Sequence, residues 1–275
     1  MTSALNPSIA RTVSHSGAAD RFAGPLTAEL LKHFDAYGWV FVPGFFTAQQ
    51  IAPVSDWIDE LLHRPEVPGE HWLYRQPSLL DPARKVVQRI ENFCPHHAAF
   101  DQFVRRSALT RAIGQLLGGT ASLFKEKINF KEPGGAGFEL HQDQQAGWSR
   151  YAPLFVTAMV CIDPATVENG CLQVADGHPR LNRLIAEEWR PITAEEAAGF
   201  SMRDVPTRPG DVVFFDSYFP HASQENLTAD RRRMLFFTYN DAAHGDVRDH
   251  YHRDKRASYP PDIEREAGAE YKFRV

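Results

Sequence analysis

The sequence predicts an α+β fold in which helices come first and pack on one face of an antiparallel sheet or barrel. Three observations lead there. Apolar residues recur at helical spacing up to Leu117, the period switches from 3.6 to 2 after Gly119, and short β-type runs separated by turns fill the rest. The 275 residues, 43% hydrophobic and 24% charged, have the balance of a soluble globule with enough chain for a sizeable core. No repeat or shift in composition marks a second domain, so residues 25–275 read as one domain and residues 1–24 as a flexible terminus.

Taken in order, Thr27 caps a helix carrying Leu30, Leu31, Phe34 and Tyr37, and Gly38 supplies its left-handed stop. A short strand, Trp39 to Val42, ends at Pro43-Gly44. Thr47 and Gln50 have capping-box spacing before a helix that Pro53 should delay or bend. A third helix is expected from His97 to Leu117, closed by Gly118-Gly119. Strands follow at Leu123–Lys131, Phe138–Asp143, Leu154–Asp163, Cys171–Ala175, Asp211–Ser223 and Arg231–Asn240. Residues 181–200, with a second capping box at Thr193 and Glu196, read as a helical insert in a loop.

The formal charge of −5 supplies no global field for nucleic acid or anionic lipid. The longest apolar run, Leu154 to Ile162, falls far short of the roughly 20 residues of a membrane helix. Three cysteines without a CxxC pair favour a reducing compartment, with the cytoplasm as the expectation.

Chemistry concentrates in a few places. His141 and Asp143, two apart at a strand end, project from one face and can share a metal ion, although a hydrogen-bonded structural pair has the same spacing. His221 stands at the end of a later strand. Together the three make two imidazoles and a carboxylate with open positions, a set suited to non-haem Fe(II) and dioxygen; taken alone, His221 reads equally as a solvated strand-end histidine. Alternation turns Arg232 to the face opposite Arg231 and Arg233, and an inward guanidinium needs an anion. The competing reading is an edge strand of three solvated arginines. In the preceding strand Lys125, Lys127, Asn129 and Lys131 share one face, with Phe124, Glu126, Ile128 and Phe130 on the other, packed against the N-terminal helices. That cationic face is either a solvated edge or the wall of an anion pocket.

The stretches FDAYGWVFVPGFFTAQQI, KINFKEPGGAGFELHQDQQAGW, ENGCLQVADGHPRLN and RPGDVVFFDSYFPHAS, followed by the arginine run, resemble the phytanoyl-CoA dioxygenase (PhyH) family of Fe(II)/2-oxoglutarate-dependent oxygenases. The resemblance covers most of the chain. It implies a double-stranded β-helix (cupin-like jelly roll) with the N-terminal helices on its major sheet, and a dioxygenase that consumes O2 and 2-oxoglutarate and releases succinate and CO2. His141, Asp143 and His221 would be the iron ligands and catalytic centre. Arg232, eleven residues after His221, would meet the distal carboxylate of 2-oxoglutarate, with Lys131, Asn129 and Ser223 beside it. Asp143 stands where related halogenases have a small residue, so hydroxylation is expected over chlorination.

Within that family the chain looks most like bacterial hydroxylases of 2-aminoethylphosphonate and its N-methylated forms. The substrate expected is a small zwitterionic amino- or trimethylammonio-alkylphosphonate, hydroxylated at C1. Lys125, Lys127 and Arg150 would receive the phosphonate, while Trp148 and Tyr151 would form an aromatic wall for the ammonium. His178 reads as a turn residue, His96, His97, His250 and His252 as surface histidines, and the C-terminal tail as solvated. Two other readings compete: a noncatalytic cupin binding a metal and an anion, and a Zn(II) hydrolase that lacks an evident general base.

Overall fold

Thr27 and Gly38 bracket the first helix as their chemistry requires. The Thr27 hydroxyl accepts the Leu30 amide at 3.3 Å, and Gly38 adopts φ +78° after α1 (Ala28–Tyr37). The computed structural model describes residues 26–271; the terminus expected to be flexible, residues 1–24, lies outside them. Strand β1 (Trp39–Val42) leads to α2 (Ala48–His63), whose capping box forms and whose helix runs on through Pro53.

The expected third helix is two. It breaks at Ser107, which is extended at ψ 176° and caps the second piece, giving α3 (Ala98–Arg106) and α4 (Ala108–Leu117). The break reflects hydroxyl capping: Ser107 Oγ accepts the Leu109 amide at 3.2 Å. His97 caps α3 through Nδ1 and is buried, not on the surface as expected.

The remaining strands are β2 (Trp72–Pro77), β3 (Lys85–Glu91), β4 (Ala121–Lys131), β5 (Phe138–His141), β6 (Val156–Cys161), β7 (Leu172–Asp176), β8 (Ser201–Val205), β9 (Val212–Asp216), β10 (His221–Ser223) and β11 (Arg232–Asp241). They form a seven-stranded sheet ordered β1-β9-β6-β11-β4-β3-β2 and a four-stranded sheet ordered β5-β10-β7-β8, with antiparallel pairs throughout. The two sheets make a double-stranded β-helix of the cupin type. Helices α1 to α4 cover the outer face of the large sheet, where Phe34, Ile58, Val104 and Ile113 meet Ile128, Val160 and Leu235. A second apolar cluster, including Trp39, Met159, Val174 and Phe215, fills part of the space between the sheets.

Residues 181–200 contain no helix. The Thr193–Glu196 box does form, at 2.9 and 3.3 Å, but it closes a single turn. In the first half of this segment the side chains of Gln142 and Gln145 take backbone groups of Arg183, Ile185, Glu188 and Arg190 that a helix would have needed. The C-terminal segment also departs from expectation: Arg248–Ser258 is a helix, α5, with Arg248, Tyr251, His252 and Lys255 buried. Arg248 donates to both oxygens of fully buried Glu126, which also accepts the Cys94 amide. Lys255 and Arg89 both donate to Glu91.

A buried pair of this kind is costly to break from one side, because the survivor keeps its charge in a low-dielectric setting. Glu126→Ala should therefore lose about 3–5 kcal/mol in urea unfolding, and Glu126→Met combined with Arg248→Met should recover most of it. A single variant as stable as wild type would show that the pair is dispensable.

Candidate active site

His141 ends β5 and His221 begins β10, and the two are opposite partners in the antiparallel ladder. That register brings residues eighty positions apart together, their rings 4.4 Å between centroids. Asp143 does not continue the strand. It opens the turn Asp143–Ala146, yet its carboxylate still converges: the three candidate ligand atoms lie within 4.8 Å of one another.

Each imidazole is held in one tautomer. His141 Nδ1 donates to the Glu139 carbonyl at 2.7 Å and His221 Nδ1 to the Phe219 carbonyl at 2.9 Å, which leaves both Nε2 lone pairs available. Burial, reinforced by the neighbouring His221, presses the His141 pKa down to about 3, and burial lowers that of His221 too. Burial by itself would raise the Asp143 pKa, but His221, Lys125 and Lys127 outweigh it and hold the carboxyl below its ordinary value. Two neutral nitrogens and one carboxylate result, a donor set that fits ferrous iron with positions left open.

His141 and His221 line a cavity, with Arg232, Asn129, Ser223 and Lys127 among its other lining residues. Arg232 differs from the two arginines beside it in charge pairing. Its neighbour Arg233 is bound by Asp163 and Asp59, and Arg231 by Asp59. Arg232 itself is buried, its Nε has no hydrogen-bond partner, and burial lowers its pKa to about 10. Asn129 Oδ1 is likewise buried without a partner. Such orphans fit an absent carboxylate ligand with polar neighbours, as 2-oxoglutarate would be.

Lys131 lies behind this wall, outside the cavity lining. Its ammonium donates to Ser223 Oγ at 2.8 Å, to the Gly170 carbonyl at 3.2 Å and to the Gln224 carbonyl. Burial, with Arg232 next in effect, takes its pKa down to about 6. Gly170 makes room for it: at φ +77°, a Cβ would stand 2.7 Å from Lys131 Nζ and 2.1 Å from the Gln224 carbonyl oxygen.

The other basic side chains on β4 separate. Lys127 lines the cavity, 4.7 Å over the Phe236 ring, and burial lowers its pKa. Lys125 lies 4.1 Å over the Trp148 ring, its pKa lowered well below the usual value by burial and then by Lys127. Trp148 therefore already faces a cation of the protein itself and is packed with Phe124, Phe155 and Tyr251. Tyr151 belongs to the same cluster as Trp148, and its hydroxyl donates to Asp254 at 2.7 Å. Arg150 is largely exposed, 3.9 Å from the same carboxylate. Phe124 joins this cluster because the ladder shifts register near Thr238 and Tyr239, so that Leu123 takes its expected place under the helices.

Sequence reading missed two features here. Gln142, Gln144 and Gln145, interleaved with Asp143, are all buried. Gln142 donates to the Arg183 and Tyr218 carbonyls and accepts the Ile185 amide, while Gln145 donates to the carbonyls of Glu188 and Arg190. Trp189, between those two carbonyls, packs edge-on against His141 at 5.3 Å. The signal was a run of amides flanking a metal-type motif, since buried glutamine needs several partners.

The family pattern for phytanoyl-CoA dioxygenase (PhyH) matches residues 34–234. Similar curated proteins include 2-aminoethylphosphonate dioxygenase of uncultured bacterium HF130_AEPn_1, 38% identical over 89% of this chain and 93% of that protein. Methylphosphonate hydroxylase of Gimesia maris is 34% identical over 85% and 88%. Among solved structures, EctD from S. alaskensis with 2-oxoglutarate and 5-hydroxyectoine is 21% identical, with a TM-score of 0.68 over 85% of this chain and 82% of that one. The chain belongs to the phytanoyl-CoA dioxygenase (PhyH) family.

An orphaned guanidinium should respond to a small dicarboxylate. At 100 times its Kd, 2-oxoglutarate should stabilise the protein by about 2.7 kcal/mol in a thermal melt, and Arg232→Met should cut that shift to about half or less at the same ligand concentration while costing no stability in ligand-free buffer. An undiminished shift in the variant would remove Arg232 from the binding site.

Proposed function

We propose that this protein is an Fe(II)/2-oxoglutarate-dependent dioxygenase that hydroxylates a small amino- or methylated-aminoalkylphosphonate, at the carbon bearing phosphorus (C1). The observation that carries the reading is the pairing of a convergent His141, Asp143 and His221 cluster with a buried, orphaned Arg232 across one cavity. The named activities of the 38% and 34% identical relatives support the substrate class.

In this reading His141, Asp143 and His221 hold the metal, the fixed tautomers of the imidazoles directing both Nε2 atoms inward. When bound, Fe(II) with 2-oxoglutarate supplies the oxidising chemistry that turns dioxygen, 2-oxoglutarate and a C–H bond into succinate, CO2 and an alcohol. Arg232 docks the distal carboxylate of 2-oxoglutarate by charge-assisted hydrogen bonds, flanked by Asn129 and the Ser223 hydroxyl that Lys131 orients. Lys127 and Lys125 supply positive potential on the Asp143 side, since both act electrostatically on that carboxylate. Both ammoniums lie over aromatic rings, Lys125 on Trp148 and Lys127 on Phe236, and a phosphonate beside them would favour their charged forms. The apolar walls, Met159, Leu172 and Phe236, keep bulk water from the reacting C–H.

The test is anaerobic loading with Fe(II) and 2-oxoglutarate, then oxygen, with succinate and hydroxylated product measured against a panel of aminoalkylphosphonates. Substrate-stimulated succinate with matching product is expected; turnover confined to other small amines or acyl compounds would discard the phosphonate. Asp143→Ala should abolish both products. Arg232→Ala should raise the KM for 2-oxoglutarate at least about 10-fold, the loss of one charge-assisted contact of 1.5–3 kcal/mol. Wild-type kinetics in either variant would contradict its role.

A further inference from the structure

Gln142 stands in the chain between His141 and Asp143, and its side chain reaches toward the segment that carries the third metal-ligand candidate, His221. Its Nε2 donates to the Tyr218 carbonyl at 2.6 Å and to the Arg183 carbonyl at 3.1 Å, while Oε1 accepts the Ile185 amide at 2.7 Å. Only this orientation of the amide serves all three, because a flip would set its oxygen against two carbonyls. The residue is wholly buried, and its own backbone amide donates to Gln145 Oε1 at 2.7 Å. A side chain with both protons and its oxygen committed in this way is fixed in place.

The Tyr218 contact bears on the metal. Residues 216–220 form the turn that delivers His221 to β10, and the Phe219 carbonyl in that turn accepts His221 Nδ1–H at 2.9 Å, which turns Nε2 to the site. Backbone bonds anchor the turn on either side: the Gln144 amide donates to the Ser217 carbonyl at 2.8 Å, and the Ala175 amide to that of Pro220 at 3.3 Å. Between those anchors lies the Tyr218–Phe219 peptide. Its N–H donates to the Asp216 carbonyl at 3.1 Å, a bond within the turn, and its C=O is held from outside by Gln142. His141 needs no such help, since its Nδ1–H is taken by the Glu139 carbonyl inside its own strand.

We propose that Gln142 is a positioning residue for the metal centre, setting His221 in place against His141 and Asp143 through the Tyr218 carbonyl. Gln142 has this role only if those three side chains hold the metal as read above. A glutamine that merely supported the fold would not distinguish one histidine from the other, whereas Gln142 acts on His221 and leaves His141 alone.

Co(II) is the probe, because its paramagnetism moves the Nδ1–H proton signals of bound histidines clear of the rest of the NMR spectrum. Wild type should give one such signal from His141 and one from His221, the latter identified by its Overhauser contact with the Phe215 ring, 4.6 Å away between centroids. In Gln142→Met the His221 signal should exchange with deuterium about 10-fold faster while that of His141 holds, and Co(II) affinity by chelator competition should fall about 10-fold. Gln142→Asn keeps the amide but is a methylene shorter; it should fall between, and it serves where the methionine variant does not fold. Asn240→Ala removes an equally buried amide at the far end of β11 and should change Co(II) affinity less than about 2-fold. Equal acceleration at both histidines, or wild-type exchange and affinity in the Gln142 variants, would overturn the role of Gln142 and leave the metal ligands as assigned. If wild type gives no such pair of signals with Co(II), the ligand assignment itself fails and Gln142 loses its role with it.

Discussion

The register of β4 against β11 is the constraint on which the rest of this molecule depends. Arg232 faces Lys131, Met234 faces Asn129, Phe236 faces Lys127 and Thr238 faces Lys125 across the central pair of the large sheet. Because side chains alternate, a slip of one residue would turn every one of these groups to the other face, beneath the helices. The apolar residues Ile128, Phe130, Leu235 and Phe237 hold the register by filling the helix-facing side.

The protein treats its buried charges in two ways. Outside the cavity lining, Glu126 with Arg248 and Glu91 with Arg89 and Lys255 are matched, and α5 brings both Arg248 and Lys255 to the sheet. Toward the cavity, Arg232 is left without such a partner, and Lys127 rests against aromatic rings. Leaving a cation buried and unmatched costs stability, which is tolerable in a functional site because a bound anion restores it. The same contrast separates residues that shape the barrel from those that act in it.

The metal ligands and the loop above them are organised by one short stretch. His141 and Asp143 point to a shared centre, and Gln142 and Gln145 point to the backbone of residues 183–190. Buried amide side chains thus do in this segment what helix hydrogen bonds would otherwise have done, and the segment lies over the site as irregular chain.

Much of the architecture was legible in the residues alone: the helix-first order, the change of period after Gly119, the inward arginine and the histidine and aspartate set are local patterns. Caps at Thr27 and Thr47 behaved locally as well. Strands β2 and β3 were not legible, because Arg89 and Glu91 look like surface residues until Lys255 arrives from a distant segment to share the Glu91 carboxylate. The helix expected at 181–200 and the solvated tail failed for the same reason. Each depended on which remote group would claim a backbone carbonyl or a carboxylate. Sequence determined which residues alternate, cap and carry charge; only the tertiary structure decided who neutralises whom, since burial makes an unmatched polar group costly and its partner arrives from any part of the chain.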